Sequence, residues 1–181
     1  MEQILWEDTR QQKGKHDRKN AWWHSHGVTV QRAKLDFGDY MVDGSNISVD
    51  TKRNLQEVAM DCGRDHKRFV REMERASATG YRLVILVEVG GNYKSIADVE
   101  RWTNDVCKRC QHHRAGTCGP SDRCRRFKRR PMTGKTLASI MASMEERHGC
   151  IFEFVHPMMA AKMICDILGV RYAAGGKNQM V

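Results

Sequence analysis

Asp39, Asp50 and Lys52 combine residue types and spacing that could do hydrolytic chemistry. Residues 39–42, a turn at Asp43-Gly44-Ser45-Asn46, and Ile47–Lys52 read as a β-hairpin. Strand side chains alternate, so Ile47 and Val49 share one face while Ser48, Asp50 and Lys52 share the other. A turn centred between Gly44 and Ser45 sets Asp39 across from Asp50, and one centred a residue earlier makes them diagonal neighbours on the same face. Facing carboxylates repel unless a cation sits between them. A hard divalent ion bound through carboxylate oxygens resolves that conflict, and Mg²⁺ (or Mn²⁺) is the expected metal. A lysine beside such an ion can orient an attacking water or stabilise charge developing on a phosphate. Taken alone, D-x-K is better explained as a solvated strand face with a surface ion pair.

A second group of chemically capable residues is Cys107-x2-Cys110-x7-Cys118-x5-Cys124, with His112 and His113 between them. Four soft ligands in one short loop suit a tetrahedral structural Zn²⁺, with an iron–sulfur cluster as the alternative and disulfides as the plainest reading. The first twenty residues lack an apolar signal core, so a cytoplasmic, non-secreted protein with reduced thiols is expected. Cys62, Cys150 and Cys165 read as isolated buried cysteines.

The same window concentrates the charge. The whole chain of 181 residues carries a formal net charge of +9, yet residues 107–130 alone hold nine Lys/Arg and one Asp. That segment is net +8, which leaves +1 for the other 157 residues. A polyanion partner follows, and nucleic acid fits better than a membrane because no amphipathic apolar face accompanies the charges. No run of about 18 apolar residues is present to span a bilayer. The composition also excludes a collagenous, mucin-like or wholly disordered chain.

These groups need elements to hold them. Residues 11–26 read as a polar helix stopped by Gly27, and residues 28–37 as one strand with a polar middle. Residues 54–79 are expected to be helical with a break near Gly63. Tyr81–Val89, an apolar run bounded by glycines, has the pattern of a central strand buried on both faces. Leu137, Ile140, Met141 and Met144 mark another helix ending before Gly149. A strand over Cys150–Val155 and a helix from Pro157 to Gly169 follow. The expected architecture is an α/β domain with a central mixed sheet flanked by helices over residues 1–181. A basic Cys-rich insert occupies 107–130, and 170–181 is expected to be a flexible tail.

Several stretches, in order, resemble the nuclease domain of the XPF family of structure-specific endonucleases, which has the PD-(D/E)xK, restriction-endonuclease-like core. Glu7-Asp8-Thr9-Arg10-Gln11 is similar to the family's D-x-R-E opening, and Leu35–Tyr40 to L-x-x-GDY. Val49-Asp50-Thr51-Lys52 stands where the family has V-E-R-K, Arg68–Met73 resembles RF-x-x-E, and Leu83–Glu88 the buried strand ending in Glu. The run TG-x-TLA-x-x-M-x-x-ME-x-R-x-G over residues 133–149 is similar to compact phage and prophage members. The resemblance implies metal ligation by Asp39, Asp50 and the Thr51 carbonyl, assistance from Lys52, and Asp8 at the edge of the same site. It implies a phosphate contact for Arg10 and a homodimer. Two positions depart from the pattern: Asp50 replaces a glutamate, and Gln56 stands where the family has an aspartate four residues after the lysine. The implied activity is metal-dependent endonucleolytic cleavage of branched or structured DNA, such as flaps, forks or four-way junctions. Arg125, Arg126, Lys128, Arg129 and Arg130 would grip backbone phosphates. The alternative is a catalytically inactive DNA-binding or partner-binding module of a phage or mobile element on the same fold.

Overall fold

In the chain, β1 (Ile4–Asp8) precedes α1 (Asp17–Ser25) and β2 (Thr29–Ala33). The hairpin β3 (Tyr40–Val42) and β4 (Ile47–Lys52) follows, then α2 (Leu55–Cys62) and α3 (His66–Ala78). After β5 (Arg82–Glu88) come three single-turn helices, α4 (Ile96–Val99), α5 (Asp105–Lys108) and α6 (Gln111–Arg114). The chain then forms α7 (Gly134–His148), β6 (Ile151–Val155) and α8 (Ala160–Leu168). This computed structural model describes residues 3–10, 16–118, 124, 126–127 and 130–174.

Among the described residues six strands form one mixed sheet in the order β2-β1-β3-β4-β5-β6. β1 runs parallel to β2 and antiparallel to β3, β3–β4 is the antiparallel hairpin, and β4, β5 and β6 run parallel. β5 is buried on both faces, as its unbroken apolar run predicts. Leu83, Ile85 and Val87 enter a core with α2, α3 and α7, while Val84 and Leu86 enter a second core with α1 and α8. The fold is thus three layers, helix–sheet–helix.

Local chemistry sets the boundaries. The Asn54 side chain caps α2 by accepting the Glu57 N–H, and the Thr133 hydroxyl caps α7 by accepting the Thr136 N–H. Gly149 and Gly169 close α7 and α8 in the left-handed region.

Two expectations need correction, and one strand was not expected. The strand over residues 28–37 ends at Ala33, because β2 lies on the far side of β1 from β3 and the chain must turn across to start the hairpin. Leu35 and Phe37 are buried in that crossing. β1 is a strand that the sequence reading passed over, since its second half is Glu7-Asp8, and both are buried. Residues 170–174 are packed: Val170 is buried, Tyr172 sits edge-on to Trp22, and the Ala173 N–H donates to the His26 carbonyl. The rest of the expected tail, 175–181, lies outside the described residues.

Candidate active site

The hairpin has the register in which Tyr40 pairs with Val49 and Met41 with Ser48, which carries Asp39 to the position across from Asp50. Asp39 is held from both sides. Its N–H donates to the Val49 carbonyl (2.7 Å), and its Oδ2 accepts the N–H (2.9 Å) and hydroxyl (2.5 Å) of Thr51. Gly38, just before it, has φ +67°, and its N–H donates to Glu72 Oε1 (3.0 Å). A Cβ at Gly38 would strike Ser48 Oγ, so glycine is required by both conformation and space.

Asp50 and Lys52 project from β4 toward α2 and α3. Lys52 Nζ lies 2.7 Å from Asp50 Oδ2 and 2.9 Å from Asp61 Oδ2, and 5.0 Å from the Phe69 ring centroid. All three charged side chains are buried. They open into a cleft of about 520 Å³ over the C-terminal ends of β1, β4 and β5, which is also lined by Asp8, Arg10, Asp39, Thr51 and Glu72.

Burial dominates the electrostatics. It pushes the Asp50 carboxyl up to about 8; Lys52 opposes this rise, and Asp39 and Glu72 add to it. Asp39 is also raised, again chiefly by burial, although the Thr51 hydroxyl and N–H favour its charged form. Burial works against the charge on Lys52, yet Asp50 and Asp61 outweigh it and hold the ammonium protonated above the usual lysine range. Lys52 is thus held as a cation between the two carboxylates.

Asp8 and Arg10 meet at the cleft's edge. Asp8 is buried and accepts from Arg10 Nε (2.7 Å), while its N–H donates to the Asp39 carbonyl, which links the two acidic positions across β1 and β3. Arg10 also donates to the Leu35 carbonyl.

Sequence reasoning did not place Asp61, Glu72, Lys19, His16 or Glu88 in the site, and all five line the cleft. Asp61 pairs with Lys52 from α2. Gln56 instead accepts the Asp105 N–H (2.9 Å) and ties α2 to the start of α5, just before the insert. Glu72 and Glu88 stand inside stretches that carried the family resemblance, so that signal was present in the sequence.

Cys107, Cys118 and Cys124 line one cavity of about 190 Å³ with His113 and Arg130. Burial raises the Cys107 thiol, and the neighbouring thiols of Cys124, Cys110 and Cys118 add to that rise. Cys110 is held below its ordinary value, first by the His113 N–H. Arg126 stacks near Phe127. Arg125, Lys128 and Arg129 lie outside the described residues.

Among the described residues no group of three or more His, Cys, Asp or Glu side chains converges closely enough to hold a metal ion. Asp39 and Asp50 still fit a hard divalent cation by their chemistry. Both are oxygen donors, both are buried, and Asp50 Oδ2 accepts no hydrogen bond of sound geometry despite its ion pair with Lys52. The crowded thiols likewise form a soft donor set.

No family model matches the sequence, and no curated protein does. Solved structures do match, and the fold they define is XPF-like. The chain is similar to XPF from Aeropyrum pernix at 19% identity and a TM-score of 0.55, over 92% of this chain and 65% of that one. It is also similar to the same protein in complex with DNA at 16% identity and a TM-score of 0.55, over 92% of this chain and 64% of that one. The chain thus spans just under two thirds of the length of these structures. No helix among the described residues is long and apolar enough to cross a membrane.

Proposed function

We propose that this chain is a metal-dependent endonuclease that hydrolyses phosphodiester bonds in branched or structured DNA, akin to the compact phage and prophage members of the XPF family. The observation that carries this reading is the buried pair Asp39 and Asp50 with Lys52 in one open cleft. Burying like charges together costs several kcal/mol, a cost that a cation on the same oxygens would offset. Asp39, Asp50 and the Thr51 carbonyl would hold Mg²⁺ or Mn²⁺. When bound, such an ion polarises the phosphodiester and makes a nucleophile of water near neutral pH.

The chain's own groups do the rest. Asp39 is oriented by the Thr51 N–H and hydroxyl, so its carboxylate is positioned before substrate arrives. Lys52, fixed by Asp50 and Asp61, presents a permanent positive charge to a phosphate oxygen that gains charge as the P–O bond breaks. Asp8 holds Arg10 at the cleft's edge, where the guanidinium can meet a phosphate. Cys107, Cys110, Cys118 and Cys124 would hold a structural Zn²⁺, with an iron–sulfur cluster as the alternative, and stiffen the basic segment that grips backbone phosphates. We further propose a cytoplasmic protein acting as a homodimer.

The test is cleavage of flap, fork, four-way-junction and linear DNAs with Mg²⁺, Mn²⁺ or EDTA, alongside metal analysis of the purified protein. Metal-dependent cutting that favours a branched substrate is expected, with zinc bound. Binding without cutting on every substrate would leave the inactive DNA-binding module as the better account.

A further inference from the structure

Lys19, on α1, is a second buried lysine in the cleft, and neither the hairpin nor the proposed metal pair uses it. Its Nζ lies 2.5 Å from Glu88 Oε1 at the end of β5 and 3.4 Å from His16 Nδ1, whose ring also meets the Tyr40 hydroxyl (2.8 Å). The Glu88 oxygen is sealed from solvent and accepts no hydrogen bond of sound geometry, so this is an ion pair held by position. Removing two charges from water is costly, and an apolar pair of similar size would serve packing as well or better. This pair nonetheless keeps its charges at the wall of an open cleft.

The other cations of the cleft are either shared between two acceptors or held at its exposed rim. Lys52 is shared between two carboxylates, and Arg10 is bound by Asp8 and the Leu35 carbonyl. Arg53 and Arg68 are largely exposed and pair with Glu57 and Asp61. An ammonium has three donors, and among the described residues Glu88 and His16 are the partners given to that of Lys19. Lys19 approaches from the α1 side of the sheet, whereas Lys52 belongs to the side of α2 and α3.

We propose that Lys19, held in place by Glu88, receives a non-scissile backbone phosphate of the nucleic acid in the cleft, and so fixes the strand's path past Asp39 and Asp50. This rests on the nuclease reading above. The anion is recognised by charge alone, so the contact is indifferent to sequence.

The test is fluorescence anisotropy of a labelled fork DNA across a salt series, in an Asp50→Asn background that leaves the DNA uncut. Lys19→Met should weaken binding about tenfold near 0.1 M salt and reduce the slope of log K against log[salt] by about 0.7–0.9. Lys19→Arg should restore the slope. A purely structural pair would lower the melting temperature and leave the slope alone. If Lys19→Met fails to fold, the Lys19→Met/Glu88→Leu double variant keeps an apolar pair in the same space and should show the same reduced slope. An unchanged slope in a folded variant overturns the proposal while leaving the nuclease reading intact. Failure of the Asp50→Asn parent to bind any DNA overturns that reading, and this contact with it.

Discussion

Asp50 has its carboxyl pushed up to about 8 by burial, against an ordinary value of 3.8. The native state therefore holds this proton more tightly than the unfolded chain does. The resulting stabilisation is full below about pH 4 and is lost as pH rises toward 8. Asp39, raised in the same direction, adds to the slope. Thermal unfolding in EDTA should therefore show stability falling between pH 4 and 8, and Asp50→Asn should flatten that decline. A saturating divalent cation should restore the wild-type protein at pH 8. Lys52 presents the opposite case, because its charge compensates two buried carboxylates. Lys52→Met should cost about 3 kcal/mol in chemical denaturation and abolish cutting while metal is present. Retained cutting by that variant would remove Lys52 from the chemistry.

At the scale of elements, the packing of α7 depends on a backbone position that tolerates no side chain. Gly134 opens α7 against the carbonyl oxygens of Val99, Glu100 and Trp102, and a Cβ there would sit only 2.6 Å from the last of them. Backbone cannot yield as a side-chain tip can. Gly134→Ala should thus cost about 2 kcal/mol or more and lower the melting temperature by about 5 °C, measured by calorimetry. The hairpin was legible from residues 39–52 alone, and alternation with a Gly-containing turn left two registers, of which the structure has the one that sets Asp39 across from Asp50. The double-faced burial of β5 was equally plain in YRLVILVEV. Other features were not legible for physical reasons. β1 ends in Glu7-Asp8, acidic residues that are both buried, Glu7 beside Arg32 and Asp8 at the cleft, so its pattern does not alternate as a strand's should. Asp61 and Glu72 sit on amphipathic helices, where an acidic residue reads as solvent-facing until the packing is known. Lys19 and Glu88 are 69 positions apart, and only the α1–sheet contact brings them together.

Across the whole molecule, the charge of +9 divides between two tasks. The cleft mixes acidic and basic groups, whereas the segment 107–130 carries net +8 at a distance in sequence. Gln56 links α2, which carries Asp61, to Asp105 at the start of α5, two residues before that segment. Neutralising Arg125, Arg126, Arg129 and Arg130 together should weaken DNA binding and reduce the salt slope by up to about 3.6, with single-turnover cutting of bound DNA little changed. An unchanged slope would remove this segment from the interface. The measurement that bears most directly on the whole account is single-turnover cleavage of an end-labelled fork DNA by wild type and Asp50→Asn at equal DNA occupancy. Cutting by the wild type in Mg²⁺, none in EDTA, and a loss of about 100-fold or more in the folded variant is the expected result. Equal rates in the two proteins, or no metal-dependent product from the wild type, would contradict it.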